Sequence, residues 1–200
     1  MKRINRVYLV RHGQVNGYED FPVYGNTDVE LTEIGIIQMQ QVSERLRFAE
    51  IGAIYSSNLE RSARGARLIA RYHDVPLYFL PELQEISFGD WEGLTMEEIR
   101  RRFPQELARR QADLINYQPP GQGESIGRFS KRIIKIYERI LSEQEGKDII
   151  IVAHGAVNRV IICEALGLDI RQMFNIHQDY GCLNIIDYYT DSRIVRLVNG

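Results

Sequence analysis

Cysteine is nearly absent. Cys163 and Cys182 are the only two in 200 residues, too few to staple a fold of this length, and they stand in no C-x-x-C or metal-type spacing. They read as small buried hydrophobes. Long apolar runs are missing too. The N-terminal stretch offers only residues 7–10 before Arg11, too short for a signal peptide, and no later segment reaches the roughly 18 apolar residues of a membrane helix. A cytoplasmic protein is therefore expected. Neither sign of charge dominates: 25 Lys and Arg stand against 27 Asp and Glu, which gives no support for broad binding to nucleic acid or an anionic membrane. Repeats and low-complexity tracts do not stand out. What is present, 44% apolar and 26% charged residues, is the composition of an ordinary globular protein. The length favours one domain over residues 1–200.

Short apolar β-type runs alternate with helical patterns. Residues 7–10 read as a strand buried on both faces. Thr32 opens a helix with Ile34, Ile37, Gln41, Val42 and Leu46 near helical spacing. Residues 51–55 form a second strand, closed by Ser56, Ser57 and Asn58, any of which could cap the helix at 59–72. A strand follows at 75–80. Thr95 and Glu98 form a capping-box pattern whose helix stops at Pro104, and a further helix runs to about residue 115. Pro119, Pro120, Gly121 and Gly123 then break the chain. Residues 82–124 hold too few apolar side chains for a core of their own, so they are expected to be an excursion over the sheet that covers the active site. Residues 125–143 carry the strongest amphipathic stripe, 149–152 the strongest strand, and helix 156–166 ends at Gly167. Runs 183–189 and 194–198 look like a closing antiparallel hairpin. The predicted fold is a three-layer α/β/α sandwich with a mostly parallel central sheet and an antiparallel C-terminal hairpin.

Ligands of open α/β sheets bind beyond the carboxyl ends of the strands. Arg11, His12 and Gly13 follow the first strand, His154 and Gly155 follow the strand at 149–153, and Arg61 lies in the first turn after the strand at 51–55. Two of only four histidines thus sit at strand-exit His-Gly positions. Arginine forks and helix N-termini suit a doubly charged phosphate. An imidazole kept neutral among such cations is a competent nucleophile toward phosphorus. Phosphoryl transfer asks mainly for positioning and charge stabilisation, which this set offers without a metal.

Leu9-Val10-Arg11-His12-Gly13 resembles the R-H-G signature of the histidine phosphatase superfamily, which includes the cofactor-dependent phosphoglycerate mutases. Asp28 through Gly35 is similar to that family's D-x-x-L-T-x-x-G. Tyr55 through Ala63 resembles its S-D/P-L-x-R-A segment. Leu83-Gln84-Glu85 with Phe88-Gly89-Asp90-Trp91-Glu92-Gly93 resembles the L-x-E…G-x-W-E-G of its small phosphatases. Gly123-Glu124-Ser125 and Val152-Ala153-His154-Gly155 complete the order. The resemblance implies that His12 becomes phosphohistidine, that Arg11, Arg61 and His154 form the phosphate pocket, and that Glu85 protonates the leaving oxygen and then activates water. It places Asn16, Tyr24, Gly25 and Gly155 among substrate contacts, and implies no metal and no cofactor.

This chain departs from the pattern at Tyr18, where many relatives carry Asn (Asn16 stands nearby), at Gly65 for Thr, and at Ala156 for Gly or Asn. The implied activity is hydrolysis of a small-molecule phosphomonoester, with the C-terminal stretch from Gln178 to Asn184 resembling phosphatases of the α-ribazole type. A phosphoglycerate mutase is the alternative enzyme, against which the short chain argues. A silent phospholigand-binding module is the alternative outside catalysis, against which the intact Glu85 argues. Glu82, Glu92, Glu97 and Glu98 crowd Glu85 in sequence and compete for its role. Arg100–Arg102, Arg109 and Arg110 read as a solvated helix face or a steering patch. An exposed apolar strand or helix would suit pairing of two chains as a homodimer.

Overall fold

The structure is a computed structural model that describes residues 2–20 and 23–200. Residues 21 and 22 lie outside the described residues, as does Met1. In chain order the elements are β1 (Arg3–Arg11), α1 (Glu33–Leu46), β2 (Ala53–Ser56), α2 (Glu60–Ala70), β3 (Leu77–Phe79), α3 (Met96–Arg102), α4 (Pro104–Ala112), α5 (Ile126–Glu143), β4 (Ile149–Ala153), α6 (Gly155–Leu166), β5 (Leu183–Tyr189) and β6 (Arg193–Leu197). The strands form one sheet in the order β3-β2-β4-β1-β5-β6. β1 to β4 run parallel; β5 and β6 are antiparallel, as expected of the hairpin.

Alternation along the central strands builds two cores, because successive side chains of a strand point to opposite faces. Val7, Leu9, Ala53, Tyr55, Ile149 and Ile151 face α5 and α6. Val10, Ile54, Ile150 and Val152 face α1 and α2. The layers are therefore helices, sheet, helices, as the sequence pattern predicts. On α5, Phe129, Ile133, Ile136, Tyr137 and Ile140 are all buried, each worth about 1.5–3 kcal/mol of apolar burial. Far from the strand exits, buried Asp187 ties β1, β5 and β6 together through Arg6 (2.6 Å) and Arg196 (2.9 Å).

Three expectations are refined. On α1, Val42 and Leu46 are buried as expected, with Gly35, Met39 and Ser43, but Ile34 and Ile37 are each 52% exposed, because the N-terminal turn packs through Gly35 on Gln14, just after β1. The α2 N-cap is Leu59, whose own side chain makes no cap bond; of the three expected candidates Ser57 takes part, its Oγ accepting the Leu59 N–H (3.2 Å). Asp28 supplies a second acceptor from a distant loop, taking the Glu60 backbone N–H at 2.9 Å. The third strand is only Leu77–Phe79, an edge strand, although its neighbours still bond to β2: Pro76 O accepts from Ile54 N–H (2.9 Å) and Leu80 N–H donates to Ser56 O (2.8 Å). Around the middle excursion, the Thr95–Glu98 capping box forms as read, and α3 ends at Phe103 before Pro104 opens α4.

Candidate active site

Parallel register brings the two histidines together. Arg11 pairs with Ala153 across β1 and β4, so His12 and His154 leave adjacent strands side by side. Their ring centroids are 5.1 Å apart in an edge arrangement. The backbone N–H of His12 donates to the Ala153 carbonyl (3.0 Å), and the His12 carbonyl accepts from Gly181 N–H (3.0 Å). The motif glycines explain how the chain turns here. A Cβ on Gly13 would lie 2.2 Å from the Gly35 carbonyl oxygen, and one on Gly35 would lie 2.1 Å from the Gln14 oxygen. Only glycine at both positions lets the exit of β1 rest on the first turn of α1. Thr32 caps that turn, accepting from Gly35 N–H (2.9 Å) and donating to Gln14 Oε1 (2.9 Å).

His12 is buried, and its Nδ1 sits 2.8 Å from the Gly13 carbonyl oxygen. A carbonyl only accepts, so Nδ1 carries the proton and Nε2 keeps a free lone pair. Burial, then the charges of Arg61 and Arg11, hold the His12 pKa well below the ordinary imidazole range. His154 is fully buried. Arg61 Nε donates to its Nδ1 (3.3 Å), so its proton is on Nε2, facing the Ser62 hydroxyl oxygen at 3.5 Å. Burial, Arg61 and His12 push its pKa well down as well. Both rings are neutral.

The cations are held by carbonyls. Arg61, buried, donates from Nη1 to Thr27 O (2.7 Å) and from Nη2 to Gly25 O (2.6 Å). With the Nε bond to His154 Nδ1, these use three of its five N–H groups. Arg11 donates from Nη1 to Gln178 O (2.6 Å) and lies over the Tyr180 ring, 4.0 Å from its centroid. Neither forms an ion pair with a carboxylate among the described residues. Gly25, at φ 49°, has no room for a side chain, since a Cβ would meet Glu92 at 2.3 Å.

Glu85 reaches the site from the excursion. Its Oε2 accepts from Ala156 N–H (3.0 Å) in the first turn of α6, and its Oε1 accepts from Ile86 N–H (3.0 Å). Of the competing carboxylates, Glu97 is exposed on α3 and the others are engaged elsewhere. Glu92 accepts from the backbone of Asn26, Thr27 and Phe88, Glu98 caps α3, and Glu82 lies 3.7 Å from Arg139. Glu92 therefore braces the loop whose carbonyls hold Arg61, a task no local pattern announces. Arg132 is a second unforeseen brace: it pairs with Glu124 (2.6 Å) and donates to the carbonyls of Glu82 (2.8 Å) and Gln84 (3.1 Å), fixing the approach to Glu85.

The remaining predicted contacts divide. Gly155 opens α6 directly beneath Arg11, whose Nε is 3.5 Å from the position of a Cβ there. Asn16 is exposed, and its carbonyl accepts from the Tyr24 hydroxyl (2.7 Å), so these two residues support the mouth of the site rather than its floor. Gly65 stands where the family has Thr because Met39 of α1 fills the space, 2.8 Å from a Cβ. His177 is exposed beside Asp179 (2.9 Å) and His73 lies far from the strand exits, at the end of α2. Arg100–Arg102 are solvent-exposed on α3. No group of three or more His, Cys, Asp or Glu among the described residues is placed to hold a metal ion. No helix among them is long and apolar enough to cross a membrane.

Comparison with known proteins agrees with this geometry. The sequence matches the family model of the Histidine phosphatase superfamily (branch 1) over residues 7–200. It is 29% identical over 196 residues to the adenosylcobalamin/alpha-ribazole phosphatase of Escherichia coli K12, covering 97% of this chain and 95% of that one. The crystal structure of the alpha-ribazole phosphatase from Shigella flexneri superposes with a TM-score of 0.89 at 28% identity, covering 98% of this chain and 96% of that one. A mutant phosphoserine phosphatase of Entamoeba histolytica, crystallised with phosphoserine, matches with a TM-score of 0.85 at 25% identity, over 98% and 97% of the two chains. The match to the family model runs from within β1 to the last residue, and the chain belongs to the histidine phosphatase superfamily.

Proposed function

We propose that this chain is a phosphatase that hydrolyses a small-molecule phosphomonoester through a phosphohistidine at His12, without a metal or cofactor, and that α-ribazole 5′-phosphate is its substrate. One observation carries the reading. A neutral imidazole, its Nδ1–H engaged by Gly13 O, keeps Nε2 free in the field of Arg61 and Arg11, neither of which is ion-paired to a carboxylate among the described residues.

The reaction follows from those parts. Arg11 and Arg61 hold the phosphoryl oxygens; charge-assisted hydrogen bonds of this kind are worth about 1.5–3 kcal/mol each. His12 Nε2 attacks phosphorus, the ester P–O bond breaks, and the leaving oxygen takes a proton from the Glu85 carboxyl. Water then attacks the phosphohistidine, giving a proton to the Glu85 carboxylate. The P–N bond breaks and inorganic phosphate leaves. His154 keeps Arg61 in line and borders the pocket with an uncharged ring, which adds no cation beside the nucleophile.

Residues 82–124 act as a cover within a single domain, bringing Glu85 over the strand exits. Beside Ala156 they border a small cavity of about 40 Å³, lined by Ile86, Phe88, Met173 and Phe174 together with Arg110 and Glu124. The leaving oxygen must face Glu85, so the organic part of the ester lies on the Glu85 side of the phosphoryl group. A cytoplasmic location suits such a metabolite.

The test is turnover of α-ribazole 5′-phosphate and of a chromogenic phosphomonoester with a chelator present, with detection of phosphohistidine after an alkaline quench. His12→Ala is expected to abolish both. Turnover that survives this change ends the proposal, and loss of turnover on adding chelator ends its metal-free form.

A further inference from the structure

Arg159 lies in none of the motifs that mark the site, yet the fold delivers it there. It stands on α6, half-buried, with its Nε donating to Ile176 O (2.8 Å). Its Nη1 comes within 3.4 Å of the point where a Cβ on Gly155 would stand, and Arg11 Nε comes within 3.5 Å of the same point. Arg11 Nε is buried with no hydrogen-bond acceptor. Arg159 has no carboxylate ion-pair partner among the described residues.

Two flexible cations brought this close would swing apart unless something held them or lay between them. Both are held. Ile176 O takes Arg159 and Gln178 O takes Arg11, alternate carbonyls of one short stretch. The Tyr180 ring backs Arg11 from the same stretch. Residues 176–180 thus hold two guanidinium groups against the same bare face of Gly155, the residue that follows His154.

Resting on the reading of the site given above, we propose that Arg159 is a third phosphoryl-binding arginine, which with Arg11 clamps an oxygen of the transferred group and of the inorganic phosphate product. The pair stands at the first turn of α6, beside Gly155. An anion between Arg11 and Arg159 satisfies the orphaned Nε and relieves the repulsion of the pair.

The test is calorimetric titration of inorganic phosphate into wild type, Arg159→Met, Arg159→Gln and Arg159→Lys, alongside steady-state kinetics. The expected result is a 10- to 100-fold weaker phosphate Kd in the Met and Gln variants, the range of one charge-assisted hydrogen bond. KM rises in parallel and kcat changes less, the signature of binding shared by ground and transition states. Lysine, which keeps the charge but not the Nε tether, recovers part of the affinity. A purely structural role for Arg159 predicts the opposite: lower Tm in every variant with the phosphate Kd unchanged, which overturns the clamp. Gln keeps a donor for Ile176 O, so it reads the charge even where Met fails to fold. Wild type that binds no phosphate also overturns the clamp. Wild type that binds phosphate but turns over no ester defeats the phosphatase reading alone.

Discussion

Two neutral buried imidazoles should make this protein acid-sensitive in a way that can be calculated. His12 and His154 have pKa values well below the ordinary 6.5, chiefly through burial and then through Arg61. In the unfolded chain both titrate normally. Below pH 6.5 the unfolded state therefore binds protons that the folded state refuses, and stability falls as pH falls until the folded rings themselves titrate. At 1.36 kcal/mol per pH unit below 6.5, each ring costs at most about 2 kcal/mol by pH 5, at most about 4 kcal/mol for the pair. The assay is urea unfolding at pH 7.5 and pH 5.0 for wild type and for the double variant His12→Gln, His154→Gln. Carboxylates and His73 contribute equally to both proteins and cancel in the comparison. Wild type should lose up to about 4 kcal/mol more than the variant between the two pH values. Equal losses would mean that the rings are not held neutral, and the argument for an unprotonated nucleophile would fall with them. Catalysis gives a companion reading: the acid limb of kcat/KM due to His12 should lie below pH 6.5, since the ring stays unprotonated there.

Gly35→Ala forces a Cβ to within 2.1 Å of Gln14 O. It should destabilise the fold by about 1–3 kcal/mol in denaturant titration and lower kcat by displacing the turn that presents His12. A variant as stable and active as wild type would refute the back-to-back packing of Gly13 and Gly35. Glu92→Gln loosens the loop of Asn26 and Thr27 while leaving Glu85 in place, so kcat/KM should fall roughly 10-fold, about the worth of one hydrogen bond to a charged group, with the shape of the pH–rate profile unchanged. A changed profile would instead put Glu92 in the proton-transfer role given to Glu85.

The strand exits were legible because period-two apolar runs end abruptly at Arg11-His12-Gly13 and His154-Gly155, and a parallel sheet collects such ends on one edge. Helix α1 was less legible. Ile34 and Ile37 carry the hydrophobicity, but the packed face runs through Gly35 and Ser43, whose small size is the point of contact and leaves no apolar signal. The second acceptor at the start of α2 could not be read locally because Asp28 lies 32 residues before Glu60. Glu92, Arg132 and Arg159 were invisible for the same reason. Each acts on backbone groups of a remote segment, and no spacing within its own helix or loop encodes that meeting.

That use of backbone groups separates the two arginine clusters of the molecule. At the far end of β5, Arg6 and Arg196 close on buried Asp187, and a carboxylate cancels their charge, which suits a fixed joint between strands. At the strand exits, Arg61 is held by Gly25 and Thr27, Arg11 by Gln178 and Arg159 by Ile176, every one through a carbonyl oxygen. A carbonyl positions a guanidinium without neutralising it, so its charge stays available for an incoming anion. Such positioning is stable only while burial keeps competing cations out. The neutrality of His12 and His154 meets that condition from inside the pocket, because a protonated ring would add a cation to three that no acid directly pairs with among the described residues. The same field that readies the site for a phosphate dianion therefore also keeps the nucleophile uncharged.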